Sequence, residues 1–211
     1  MRKTVPFLAL AALLSAPAAA SAQLQLGVRF GLALPSGDLE AEAPVGDLVD
    51  RALPVGLEVG WRFFDHLTVG IHGQYAFGTV DAALQRDCDL FGSTCSVSAI
   101  RAGIHARWAL RPDAGIDPWF GLGMGYEWLR NTVKNGPLEA TLAYRGFEWA
   151  RAEVGLDVHL GRFAVGPWLS FGMGLFTHRT LDLPDTSVTE KVANDAAHGW
   201  FEGGVRVLFT L

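Results

Sequence analysis

The chain has little lysine and an excess of acidic side chains. There are 22 acidic against 17 basic residues, which gives a formal net charge of −5, and lysine occurs only at Lys3, Lys134 and Lys191. Nucleic-acid-binding surfaces are built from clustered basic residues, so this class of function is excluded. Charged residues make up only 18% of the chain and hydrophobic residues 50%, a composition that excludes a disordered protein.

Long apolar runs are absent after the N-terminal segment, so no helix is expected to cross a membrane. The N-terminal segment begins with Met1, Arg2 and Lys3, continues with a mainly apolar run over residues 5–14, and has small side chains at residues 20–22. This layout is typical of a secretory signal. We therefore predict a signal peptide at residues 1–22 and one exported domain at residues 23–211.

Cysteine is also scarce. Cys88 and Cys95 are the two cysteines of the chain, and both lie in one polar segment. An exported chain passes through an oxidising compartment, which favours a local disulfide between them. A structural metal site would need further ligands, and no histidine lies nearby.

Helical periodicity is missing, and a period of two takes its place. From Gln23 onward, large apolar residues such as Leu26, Val28 and Phe30 alternate with Gly27 and Arg29. This alternation indicates a strand with one apolar face. It recurs in segments that start near residues 53, 67, 100, 120, 150, 163 and 201. The pattern predicts an all-β chain of eight strands and no helix.

The connections between these strands alternate in length. Residues 64–66, 111–117 and 161–162 are short connections, whereas four long connections are predicted at residues 35–52, 79–97, 129–141 and 177–198. All long loops therefore lie at one end of the sheet and both chain termini at the other. This arrangement favours an antiparallel up-and-down barrel.

Volume decides which face of the barrel is inside. An eight-stranded barrel has an interior only just wide enough for side chains, so the large apolar side chains must point outward and the Gly-rich face inward. Aromatic residues agree with a membrane barrel, because they cluster in two girdles at the strand ends. The short-turn girdle is predicted to contain Trp61, Phe63, Trp108, Phe120, Phe163 and Phe209, and the long-loop girdle Tyr75, Phe77, Tyr126, Trp128, Tyr144 and Phe201.

With these features the chain resembles the small eight-stranded outer-membrane barrels of Gram-negative bacteria, the OmpA/OmpX/OmpW-like group. The last strand matches the group's alternating C-terminal signal at Val205, Val207 and Phe209, and departs from its terminal aromatic residue at Leu211. The resemblance implies four extracellular loops, short periplasmic turns and location in the cell outer membrane. It also implies contact with outer-membrane lipid and lipopolysaccharide, and with the barrel-insertion machinery through the C-terminal strand.

The predicted inner face carries charges of nearly balanced sign. Unpaired charges in a narrow lumen are costly, so we expect networks of salt bridges that fill it. A hydrated polar conduit is the alternative, with Trp119, Trp149, Trp168 and Trp200 along part of the lumen. The sixth strand is the least regular, because its alternation puts Glu148 on the apolar face. The predicted lumen network consists of Arg29, Glu58, Arg62, His72, Arg101, Arg107, Glu127, Arg151, Glu153, Asp157, Glu202 and Arg206.

Catalytic and cofactor motifs are not found in the sequence. The three glycines Gly121, Gly123 and Gly125 stay in the strand period, and no helix follows to complete a phosphate-binding loop. A His-x-Ser dyad, which would resemble that of the lipid-A-deacylating barrels, does not occur. Ser170 is expected opposite Glu153, but no histidine is placed as its base. We therefore expect no catalytic residue, cofactor or metal.

Two functions remain from the sequence. The first is a structural or surface-interaction protein that anchors extracellular loops for envelope integrity, adhesion or partner contact. The second is a narrow porin-like passage for small or apolar solutes.

Overall fold

The computed structural model describes residues 23–41, 43–192 and 196–211. The predicted signal peptide at residues 1–22 lies outside the described residues. No helix in the described part of the chain has the length and apolar character of a membrane-spanning helix.

Ten strands and two short helices form the described chain. The strands are β1 (Gln23–Glu40), β2 (Ala43–Pro44), β3 (Val49–Phe63), β4 (Leu67–Val80), β5 (Thr94–Ala109), β6 (Ile116–Asn135), β7 (Leu138–Leu160), β8 (Phe163–Leu183), β9 (Thr186–Lys191) and β10 (Ala197–Thr210). A 3-10 helix spans Val45–Asp47 and helix α1 spans Ala82–Leu90.

Eight of these strands close into an antiparallel barrel. β1, β3, β4, β5, β6, β7 and β8 pair in sequence, and β10 closes the ring by pairing with both β8 and β1. Three short connections lie on the side of Gln23 and Leu211, the two ends of the described barrel, where Gln25 pairs with Thr210. The predicted all-β class and the eight-stranded up-and-down barrel are confirmed.

The apolar face of each strand points outward, as predicted from volume. In β4, Val69, Ile71 and Tyr75 are exposed on the outer wall, whereas Thr68 and Gln74 are buried in the lumen. From Leu67 to Phe77 the strand covers about 25 Å along the barrel axis, at ~3.3 Å per residue and a tilt of ~40°. This height is that of the apolar band of a transmembrane barrel.

The extracellular connections contain more regular structure than predicted. The expected loop at residues 129–141 is a continuation of β6 and β7 that turns at Gly136, where φ is +58°. The expected loop at residues 177–198 holds the end of β8 and all of β9. In the first connection, β1 continues to Glu40. Backbone hydrogen bonds between neighbouring strands continue above the barrel, so polar sequence there does not end the ladder.

The prediction that the chain has no helix is wrong for the second connection, which contains α1. Asp81 caps this helix, because its carboxylate accepts hydrogen bonds from the backbone N–H groups of Ala83 (2.7 Å) and Leu84 (3.4 Å). The hydrogen bond from Ala83 lowers the pKa of Asp81 below its ordinary value. Cys88 and Cys95 form a disulfide that ties the end of α1 to the start of β5, with 6.1 Å between their Cα atoms.

A bulge in β7 reverses the predicted alternation at the start of the sixth barrel strand. Register shifts between Glu148 and Ala150, so one additional residue lies on β7. Above the bulge, Glu148 and Tyr144 point into the lumen and are buried, while Trp149 is 44% exposed on the outer wall. The predictions of Trp149 in the lumen and Tyr144 in the outer girdle are therefore wrong.

Candidate functional site

The lumen is the candidate functional site, and its middle is filled with ion pairs. Among the described residues, five arginines and six carboxylates form this charged layer, and each is at most 5% exposed. Its members are Arg29, Glu58, Arg101, Arg107, Glu127, Glu148, Arg151, Glu153, Asp157, Glu202 and Arg206. Alternation along the strands places all of them except Glu148, which a bulge in β7 turns inward.

Glu58 and Glu153 are shared between arginines from different strands. Arg29 makes a bidentate pair with Glu153, with Nη1–Oε1 at 2.7 Å and Nη2–Oε2 at 3.0 Å. Its Nε also lies 2.7 Å from Glu58 Oε2. Arg107 donates from Nη1 to Glu58 Oε1 at 2.8 Å, and its Nη2 contacts Oε2. Arg206 bridges Glu58 and Asp157. Glu58 therefore contacts three guanidinium groups, and Glu153 contacts that of Arg29 and, at 3.4 Å, that of Arg107.

A second group of polar contacts lies on the extracellular side of this cluster. Arg101 of β5 pairs with Glu202 of β10, which lies on the diametrically opposite strand of the ring. Glu202 also accepts hydrogen bonds from Gln74 Nε2 at 3.0 Å and Ser170 Oγ at 3.4 Å. Arg151 links the two groups, because its Nη1 lies 4.0 Å from both Glu153 Oε1 and Glu202 Oε2. The network therefore crosses the full width of the lumen.

Tryptophan rings fill the space between the charged groups. Guanidinium groups lie over them, with Arg29 4.9 Å from the ring centre of Trp168, Arg101 5.1 Å from Trp200, and Arg206 4.2 Å from Trp119. These distances allow cation–π attraction, which is stronger away from water. Glycine is required opposite one ring, because a Cβ at Gly155 would overlap Trp119.

Two members of the lumen network, Glu148 and His198, were not predicted from the sequence. Glu148 binds Arg151 through Nε–Oε1 at 2.8 Å and Nη2–Oε2 at 3.0 Å, and only the β7 bulge brings it inward. His198 was expected at the end of a loop, but it is buried, with Nε2 3.0 Å from Glu127 Oε2 and its ring stacked on Phe176 at 3.9 Å. Trp200 Nε1 donates to Glu127 Oε1 at 2.7 Å.

Two predicted members lie outside the charged network. Arg62 is half-buried at the periplasmic mouth, where it lines a polar basin with His159 and Arg162. His72 is opposite Glu58 in register, as expected, but its ring nitrogens have no hydrogen-bond partner among the described residues. Its ring instead faces His105, with 5.7 Å between the ring centres.

An apolar layer closes the lumen on the extracellular side of the charged layer. Ala99 and Leu129 lie two residues above Arg101 and Glu127 on paired strands, and Tyr144 packs against Phe176. The 3-10 helix contributes Val45 as part of a roof. The layer consists of Ala33, Leu39, Val45, Val49, Ala52, Ala76, Val80, Val97, Ala99, Leu129, Tyr144, Phe176, Val192 and Trp200.

The lumen does not assemble a nucleophile and base. Ser170 lies opposite Glu153 in register, and its hydroxyl donates to Glu202. Among the described residues no histidine hydrogen-bonds to Ser170, and no cluster of three metal-ligating side chains is found there. The charged side chains of the lumen therefore pair with one another.

Comparison with known proteins finds similarity in structure and none in sequence. No family model matches the chain, and no curated protein matches its sequence. In structure it is similar to the outer membrane protein OprG from Pseudomonas aeruginosa, with a TM-score of 0.53 and 12% identity over 91% of this chain and 97% of that one. It is also similar to a major outer membrane protein from Thermus thermophilus, with a TM-score of 0.52 and 8% identity over 89% of this chain and 99% of that one.

At these identities the likeness concerns the fold alone, and it agrees with the barrel architecture described above. The outward apolar band and the two girdles of aromatic side chains agree with the predicted location in the cell outer membrane.

Proposed function

We propose that the chain is a closed outer-membrane barrel that anchors its extracellular connections for envelope integrity, adhesion or partner contact. The observation that carries this proposal is the Arg101–Glu202 pair, which joins opposite strands across a lumen filled with further ion pairs. Transport of polar solutes needs hydrated space, whereas these side chains are 1% exposed. A cavity of about 10 Å³ among Gln25, Arg107 and Trp119 has room for about one water molecule.

The extracellular side supports an interaction role. β6, β7, β8 and β9 continue as a sheet beyond the barrel, and Thr186–Lys191 of β9 are exposed. In the described part of the chain β9 pairs only with β8, so its other edge is open. An open edge offers backbone hydrogen bonds to an extended partner segment.

Conductance in planar lipid bilayers tests the proposal. The refolded protein is expected to pass no steady current, because the charged and apolar layers close the lumen in series. The variant R101S/E202S/L129S/Y144S removes both charges of the crossing pair and truncates the apolar layer above it, so it is expected to open a hydrated gap through both layers that conducts ions. Migration of the unheated protein on gels checks that both proteins are folded. Steady single-channel steps from the unmodified protein would overturn the closed barrel and favour the narrow porin-like passage.

A further inference from the structure

A group of basic side chains lies on the outer wall at the level of the aromatic girdle of the long-loop end and one row above it. Register aligns Trp128, Arg145, His178 and Lys191 in one row across β6, β7, β8 and β9. Arg130 lies one outward row higher on β6, between Ser98 and Ala143. These side chains alternate with inward groups such as Leu129 and Tyr144, so they face away from the lumen. We call Arg130, Arg145, His178 and Lys191 the basic patch.

The two arginines of the basic patch have no carboxylate at ion-pair distance within the described residues. Nearby cations do have partners: Lys134 lies 3.0 Å from Glu139 at the tip of the sheet, and Arg179 lies 2.9 Å from Glu40. Asp182 lies on the same face, opposite Thr141 and two outward rows above Arg145, and Glu139, also on this face, pairs with Lys134. In an acidic chain, an uncompensated pair of arginines at the edge of the apolar band favours an anionic ligand.

A depression in the outer wall adjoins Arg130. Its volume is about 430 Å³, and it is lined by Tyr75, Ile100, Trp128 and Arg130. The small side chains of Ser98 and Ala143 flank Arg130 on both neighbouring strands and leave the guanidinium group accessible. The floor of the depression is therefore apolar and aromatic, and its extracellular rim is cationic.

Hydroxyl side chains lie at the level of the basic patch and just beyond it. Ser98, Thr180 and Thr189 lie in the row of Arg130, and Ser96 and Ser187 lie one outward row further from the membrane. Thr132 and Thr141 share that further row but are each only 7% exposed. Along the outer wall, the apolar and aromatic side chains are therefore followed by basic and hydroxyl side chains together.

We propose that this wall binds a phosphorylated glycolipid of the outer leaflet, of the lipid A type. Its acyl chains lie on Ile100 and Trp128, its phosphate pairs with Arg130 and Arg145, and its sugar contacts the hydroxyls of Thr180 and Thr189. The wall matches such a lipid, because the acyl chains of the lipid are bonded to the sugar and its phosphates lie at the level of the sugar, as Arg130 lies in one row with Thr180 and Thr189. The inference rests on the proposed outer-membrane location, because only there does the aromatic girdle lie at the outer leaflet.

Titration of the folded barrel in neutral detergent with diphosphorylated lipid A tests the assignment, with bound lipid counted by native mass spectrometry. The variant R130S/R145S is expected to lose affinity by roughly tenfold to a hundredfold, because it removes two charge-assisted contacts to phosphate. The matched control is R86S, which removes an exposed arginine on α1 outside the basic patch. Binding to the unmodified protein is expected to weaken as salt is raised.

Dephosphorylated lipid A and phosphatidylglycerol test whether binding depends on the phosphate and on the sugar. Dephosphorylated lipid A is expected to bind the unmodified protein and R130S/R145S equally weakly. Equal affinity for phosphatidylglycerol and lipid A would overturn the assignment to a glycolipid. Unchanged lipid A binding by folded R130S/R145S would overturn the site and leave the proposed function intact. Failure of the unmodified chain to fold in any bilayer or detergent would instead overturn the proposed function and this inference together.

Discussion

The two layers of the lumen fill the same barrel with opposite chemistry. In the charged layer, Glu58 and Glu153 each contact several arginines from other strands. In the apolar layer, Leu129 lies two residues beyond Glu127 on β6 and Tyr144 lies four residues before Glu148 on β7, and both fill the interior by packing. The charged layer depends on matched partners, because a buried charge without its partner is strongly destabilising. The apolar layer depends on volume, so its losses scale with the cavity that a substitution creates.

Removal of Glu153 is expected to give the largest loss in the free energy of unfolding. Glu153→Ala leaves Arg29 without its bidentate partner and Arg107 with one carboxylate fewer. We expect the free energy of unfolding in lipid vesicles to fall by about 3–5 kcal/mol. The control is Glu139→Ala at the exposed Lys134 pair, where the loss is at most about 1 kcal/mol. Equal losses in the two variants would show that the lumen charges are solvated.

Truncation within the apolar layer is expected to cost slightly less. Leu129→Ala creates a cavity at a side chain that is 1% exposed, and we expect a loss of about 3–4 kcal/mol in urea-induced unfolding. Because no charge is left unpaired, this loss should not depend on salt. Leu138→Ala, at an exposed position of the protruding sheet, serves as the control and should change little. A strong salt dependence for Leu129→Ala would contradict the separation of the layers.

The smallest loss in the free energy of unfolding is expected from a substitution on the outer wall, at the height of the charged layer. Val28 faces outward between Leu57 and Val207, and the next residue, Arg29, faces the lumen. Val28→Arg should therefore lower the free energy of unfolding by about 2–3 kcal/mol, because the new charge meets lipid. Val28→Leu keeps the apolar surface and should be close to neutral. A harmless Val28→Arg would show that the assignment of faces is inverted.

The sequence predicts the residues of the charged layer better than those of the apolar layer. Most members of the charged layer could be named from the sequence, because each alternates with outward apolar residues along its own strand. Their pairing could not, because Arg29 and Glu153 are 124 positions apart and meet only when the barrel closes. The apolar layer was not predicted as a unit, since its residues include segments expected to be loops, such as Val45 and Leu129. His198 carried no signal beyond a histidine near the start of the last strand.

Local patterns in the sequence alone determined the number of barrel strands, the end at which the long connections lie and the outward direction of the apolar face. A strand has a period of two, and the volume of an eight-stranded interior excludes the larger side chains. Only the tertiary structure decided that a bulge turns Glu148 inward and Trp149 outward, which carboxylate each arginine binds, and that β6 to β9 continue above the barrel. These features depend on contacts between strands that are distant in sequence, so no single segment encodes them.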